Sequence, residues 1–405
     1  MMRKAVMYGG GNIGRGFIGA LLSQSGYHVI FVDVAEPIVT ELNERKSYPI
    51  RILDGQNKED LIIKNVSAVH GNNREEVAAE IASCDIMATA VGARVLKFIV
   101  PNIVSGLRKR WSEHGRPLNI IICENLNDAN RVVERMIKEQ LTASEVERFD
   151  RTVGLVEASI GRMVPVQTDE MKDGEPLRIC TESYGFLPVD KAAFKGTIPD
   201  IKGMVPFEPF DFFVKRKLFI HNMAHATTAY LGDLTGKEYI YEAIDNPDIL
   251  LIVQNAMMES AQALVKRYGV DMDWMLDHIN DLLRRFANIT LKDTCARVGG
   301  DPARKLSPGD RLAGSMKLAE EEGICPAYIA VGAAAGLRRY LKEAGLARNE
   351  EEALKALENV SQIPKDSALA QLVLEYFRMI STSCSIAALR REAQRRKALS
   401  LMSII

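Results

Sequence analysis

The chain has no closely spaced pair of cysteines. Its six, at positions 84, 123, 180, 295, 325 and 384, are scattered without a single CxxC, which argues against a disulfide framework or a cysteine zinc site. Reduced thiols and a cytoplasmic setting are the expectation. An excess of one charge is also missing: 52 basic against 53 acidic residues leave a net −1, so no global field attracts nucleic acid or an anionic membrane. Long apolar runs are absent too. The longest, at 325–337, contains Pro326 and stops at Arg338, well short of a membrane span. At the N-terminus, Asn12 and Arg15 interrupt what would otherwise be a signal core. Finally, none of the eleven tyrosines is followed by Lys four positions later, which removes the Tyr–Lys mechanism of short-chain dehydrogenases.

What is present is an average globular composition, 47% apolar and 26% charged, over a length that suits two domains better than one core. Through residue 125, β-branched runs at 4–8, 28–33, 86–91 and 119–123 alternate with helical patterns such as 13–25 and 36–46. That rhythm predicts a parallel sheet with crossover helices. Residues 151–195 are again strand-rich and are assigned to the same domain, and the prolines of 197–210 mark a linker. Beyond it, segments 215–231, 249–267, 272–286, 327–344, 350–359 and 366–379 carry apolar residues at helical spacing. The expected fold is α/β: an N-terminal Rossmann-type dinucleotide-binding domain at 1–200 and a mostly α-helical domain at 201–405.

Gly9, Gly11 and Gly14 form GxGxxG directly after the first predicted strand. The first glycine permits a tight turn, the second lets a pyrophosphate approach the backbone at a helix N-terminus, and the third allows close helix–strand packing. Asn12 and Ile13 lie within this turn, and Gly92 closes the ATAVG run; both sites join the candidate cofactor set. Asp33 ends the second strand, where a carboxylate can accept hydrogen bonds from the adenosine ribose and repel a 2′-phosphate. NAD is the expected cofactor. Arg15 could offset phosphate charge or simply be solvated, and a glycine-rich turn of some other α/β protein is the plain alternative.

The second polar set is KLFIHNMAH, with Lys217, Asn222 and His225 on a predicted helix. At about 100° per residue all three share one broad face, which is costly on an apolar helix unless the groups are paired or used. The ordinary reading is a surface lysine with two satisfied core polar groups. Together with YGGGNIGRGFIG at 8–19, ICENLN at 122–127, GRMVP at 161–165 and RFANITLKDTCARVGGDPARKLSPGDRL at 285–312, the KxxxxNxxH pattern resembles the polyol-specific long-chain dehydrogenases of the mannitol dehydrogenase family.

That resemblance implies metal-independent hydride transfer between NAD and a secondary alcohol of a polyol or polyol phosphate, with D-mannitol 1-phosphate and D-fructose 6-phosphate the expected pair. Lys217 would be the general base, Asn222 and Asn125 would donate to the developing alkoxide, and His225 would orient the hydroxyl. Arg297, Arg304 and Lys305 would bind the remote hydroxyls or phosphate. Gly161 and Gly300 depart from the family pattern on the substrate side. Alternatives within the family are a mannonate- or tagaturonate-type oxidoreductase and a free-polyol dehydrogenase. A different class, a non-catalytic NADH sensor, lacks positive support, and a metal site on His221 and His225 lacks a third ligand nearby. The cations at 390–397 read as a solvated last helix, the apolar tail 399–405 as a segment that docks on the body or on another subunit. The expected partner is a small-molecule polyol or sugar phosphate, without nucleic acid or membrane, in a monomer or small homo-oligomer.

Overall fold

The computed structural model describes residues 3–54, 57–126 and 128–402. The chain divides into two compact units, Met1–Asp211 and Phe212–Ile405.

The first unit is built on strands β1 (Arg3–Tyr8), β2 (Tyr27–Asp33), β3 (Ser47–Asp54), β4 (Asn57–Lys64), β5 (Val66–His70), β6 (Ile86–Thr89), β7 (Leu118–Ile122), β8 (Val153–Glu157), β9 (Ile179–Thr181), β10 (Leu187–Asp190) and β11 (Met204–Phe207). Six of these form one sheet in the order β5-β2-β1-β6-β7-β8, every pair parallel. Both faces are covered, so β1 buries successive residues to opposite sides: Ala5 and Met7 enter one core with Phe17 and Phe31, Val6 and Tyr8 the other with Ile81 and Ile103. This two-sided burial explains why its strands read as continuous apolar runs.

Two features depart from the expectation. An antiparallel hairpin, β3–β4, interrupts the β2-to-β5 connection, and β3 also pairs with β9. Residues 197–210 are not a bare linker, since β11 lies within them and pairs in parallel with β10.

The second unit is helical. Its central helix, Met223–Leu234, is buried along most of its length, and Gly332 lets the helix Ala327–Glu343 approach it closely: a Cβ there would lie 2.2 Å from Thr227 Oγ1. Helices Pro247–Tyr268, Met272–Phe286, Glu350–Asn359 and Ala368–Ser381 occupy segments whose apolar spacing predicted them. The last helix, Ile386–Met402, is not simply solvated. Arg390 pairs with Asp248 at 2.6 Å, Arg396 pairs with Glu375, and Lys397 lies 3.6 Å from the buried Glu259. Of the apolar tail, residues 403–405 lie outside the described residues. Among the described residues, no helix is long and apolar enough to cross a membrane.

Candidate active site

In the first unit the glycine loop joins β1 to a helix that begins at Asn12. Gly9 has φ +103°, and a Cβ on it would lie 2.4 Å from Ala90 O, so only glycine suits the turn. A Cβ on Gly14 would lie 1.8 Å from Gly9 O, whereas over Gly11 nothing comes within 4 Å. The loop is thus closed behind Gly14 and open over Gly11, where the first N–H groups of the helix lack intrahelical partners. That cradle fits a dinucleotide pyrophosphate.

Asp33 holds this end together. Its Oδ2 accepts from Gly10 N at 2.7 Å and its Oδ1 from Ala35 N at 2.9 Å; each carboxylate oxygen keeps a second acceptor position. Arg15 is not solvated. It is buried, its Nε donates to Gly10 O at 2.5 Å and its Nη1 to Leu177 O, so it braces the loop from behind. Glu124 went unnoticed in the sequence: buried after β7, it accepts from Val91 N at 3.0 Å and Gly92 N at 2.7 Å. This fixes the loop carrying Gly92, whose φ is +89°. The next residue, Asn125, is exposed.

In the second unit the lysine segment is not regular α-helix. Lys217–Asn222 forms a π-helical turn ahead of the central helix, and Met223 N bonds to Leu218 O, five residues back. Five residues therefore fill about one turn, which brings Asn222 closer to the Lys217 side than the 100° wheel allows. Lys217 is half-buried, and among the described residues its ammonium makes no hydrogen bond or ion pair. Burial, assisted by the Arg311 charge, brings its pKa down to about 8. The Asn222 amide likewise has no hydrogen-bond partner among the described residues.

His225 stacks on Phe286, with ring centroids 4.9 Å apart, and its Nε2 lies 3.3 Å from Asp293 Oδ2. Burial lowers the imidazole pKa even against the neighbouring carboxylate. The neutral ring then donates from Nε2 and leaves Nδ1 as an acceptor. Asp293 also receives Arg297, at 2.7 and 2.5 Å. Although burial alone would raise it, these partners hold its pKa at about 2. Asp293 was a missed residue, with no signal beyond its place in the TLKDTC stretch.

The three predicted anion ligands are already engaged. Arg297 is tied to Asp293, and Arg304 to Asp301 at 2.6 Å and Asp310 at 3.2 Å. Lys305 is buried and donates to Val298 O and Gly300 O, with its pKa lowered to about 8 by burial. Sequence could not show this, because a lysine bound to carbonyls and one bound to phosphate have the same letters around them. Gly300 has room for a side chain, its nearest neighbour to an added Cβ being Arg297 O at 3.4 Å, while Gly161 faces the Tyr184 ring at 3.0 Å. His221 is buried against Phe286.

The model of the mannitol dehydrogenase Rossmann domain matches residues 3–203, and that of the mannitol dehydrogenase C-terminal domain matches 210–375. A relative from Thermoanaerobacter pseudethanolicus named mannitol-1-phosphate 5-dehydrogenase is 38% identical over 343 residues, 84% of this chain and 87% of its own. One of the same name from Bacillus subtilis is 38% identical over 335 residues, 82% and 87% of the two chains. Among solved structures, a D-sorbitol dehydrogenase aligns with a TM-score of 0.82 at 15% identity over 95% of this chain and 94% of its own. Pseudomonas fluorescens mannitol 2-dehydrogenase, solved with NAD and D-mannitol, aligns at 0.74 and 14% identity over 98% and 95%. At such identities the two structures speak for the fold alone.

Proposed function

The chain belongs to the mannitol dehydrogenase family, and from that premise we propose that it is an NAD-dependent polyol-phosphate dehydrogenase interconverting D-mannitol 1-phosphate and D-fructose 6-phosphate. The observation that carries this reading is Lys217: a half-buried amine without a counter-ion among the described residues, on a wide turn shared with Asn222 and one turn from the His225–Asp293 pair. Names of the relatives support the substrate pair.

The bound dinucleotide supplies a hydride acceptor for the carbon that bears the reacting hydroxyl. Neutral Lys217 removes the hydroxyl proton as that carbon becomes a ketone, and its ammonium returns the proton in the reverse direction. A pKa near 8 leaves both forms available around neutral pH. The Asn222 amide donates to the oxygen while it carries alkoxide charge, and Asn125 is proposed as a second donor. His225, held by Asp293, accepts from a substrate hydroxyl through Nδ1. In the first unit, Gly9, Gly11, Asn12, Ile13, Gly14 and Gly92 would contact the dinucleotide and Asp33 its ribose, favouring NAD over NADP.

The test is steady-state turnover of fructose 6-phosphate, free ketoses and ketohexonates with NADH and NADPH. Fructose 6-phosphate with NADH is expected to give the highest kcat/KM. A higher value for a ketohexonate or a free ketose would replace the substrate while keeping the reaction class, and equal use of NADPH would remove the role given to Asp33.

A further inference from the structure

A phosphorylated substrate needs a cation that still has donors to give, and the three arginines and one lysine of residues 297–311 differ sharply in this respect. Arg297 spends Nε and one terminal nitrogen on Asp293, Arg304 spends Nε on Asp301 and Nη1 on Asp310, and their side chains are 58% and 52% exposed. Such exposed pairs bind anions weakly because solvent competes for them. Lys305 gives two of its three protons to backbone carbonyls.

Arg311 is different. Its side chain is only 14% exposed, and only Nε is engaged, donating to Asp310 Oδ1 at 2.7 Å. Among the described residues its two terminal nitrogens make no hydrogen bond, and neither is sealed from solvent. Structural arginines of this chain look otherwise: Arg110 donates to the carbonyls of Ala82, Cys84, Arg116 and Pro117, and Arg15 to those of Gly10 and Leu177.

The fork is also fixed in place. Asp310 accepts from Arg311 N at 2.6 Å as well as from Nε, and its other oxygen holds Arg304. The backbone carrying Arg311 lies against the lysine turn: a Cβ on Gly314 would fall 2.9 Å from the ring of Phe219, two residues from Lys217. In agreement with that proximity, the Arg311 charge acts on Lys217, His225 and Lys305.

Resting on the reading of a phosphorylated substrate, we infer that Arg311 is the phosphate-binding residue of this site, presenting its free terminal N–H edge to the phosphate oxygens of the sugar ester. A planar guanidinium gives two parallel, charge-assisted bonds to a phosphate. Partial burial keeps water from competing for them. Arg304 and Asp310 then act as positioning residues that aim the fork.

The experiment compares wild type, Arg311→Gln and Arg311→Lys in NADH-dependent reduction of fructose 6-phosphate and of fructose, with inorganic phosphate as a competing ligand. In Arg311→Gln the loss of kcat/KM on the phosphate ester should exceed the loss on fructose by about tenfold to a hundredfold, the worth of a charge-assisted bond. Competitive inhibition by inorganic phosphate should disappear with it, and Arg311→Lys should recover part of both. Equal losses on the two ketoses, accompanied by a shifted pH profile, would mean that Arg311 acts through Lys217 and would overturn the inference. Phosphate inhibition that persists in Arg311→Gln would do the same. If wild type favours fructose, the substrate reading fails, and the phosphate titration of wild type and Arg311→Lys still decides the role of Arg311 by itself.

Discussion

Lys217 sets the pH behaviour of the proposed reaction. Its amine must be neutral to accept a proton, so kcat/KM for alcohol oxidation should rise with pH and level off above about 8, while ketone reduction should fall over the same range. Parallel pH profiles in the two directions would contradict this. Lys217→Ala should lower kcat by about a thousandfold with the Kd for NADH, read by fluorescence titration, little changed, because the glycine loop belongs to the other unit. Asp293 carries a second expectation. Its folded pKa of about 2 lies below the ordinary value of 3.8; its stabilisation is therefore present above the ordinary value and lost as pH falls through about 2. Asp293→Asn should unfold at lower urea than wild type at pH 7, the gap narrowing as the pH is taken below about 4. It should also lower activity, since His225 would lose the partner that fixes its tautomer. Unchanged activity would leave His225 oriented by its stacking on Phe286 alone.

At the scale of elements, the main sheet was readable because strands buried on two faces leave uninterrupted apolar runs, and the long helices because their apolar stripes recur at fixed spacing. The β3–β4 hairpin and β5 were not read: charged residues such as Arg51, Glu59 and Asp60 sit within the hairpin and hide its period, and Arg51 pairs with Asp60 only across the folded strands. Prolines concealed β11 in the same way, as Pro206 sits within that edge strand. The glycine loop was legible down to single residues because a backbone requirement leaves a mark in the sequence. Its braces, Arg15 and Glu124, were not, since nothing in the letters says which carbonyl or N–H a charged side chain will meet. A test at this scale is Gly14→Ala. With its Cβ 1.8 Å from Gly9 O, the loop must move, and the urea midpoint should report a loss of about 3 kcal/mol together with weaker NADH binding.

For the molecule as a whole, net charge said little, and the consequential charges are buried ones. Glu259 accepts from Tyr328 N and Ile329 N at the head of the helix Ala327–Glu343, and burial raises its pKa to about 7 against the pull of Lys397. Because the folded chain holds this proton more tightly than the unfolded one, the associated stability is complete below the ordinary carboxylate range and is lost as pH rises to about 7. Urea unfolding at pH 5 and pH 8 should show wild type losing stability across that interval and Glu259→Gln losing less. An identical decline in both would place the effect elsewhere. The two motifs on which the functional reading depends share a further trait: the glycine-loop helix and the lysine helix each carry a π turn, Gly14–Ile18 and Lys217–Asn222. A π turn is an α-helix carrying one residue too many, so each motif holds a surplus residue that a single-codon deletion would remove. Removing Leu218 would let the lysine helix relax into an ordinary α-helix with Lys217 four residues from Asn222 and seven from His225, a spacing that keeps all three on one face. Activity that survives the deletion would make the surplus residue dispensable, and activity lost would mean that the chemistry needs the wide turn itself.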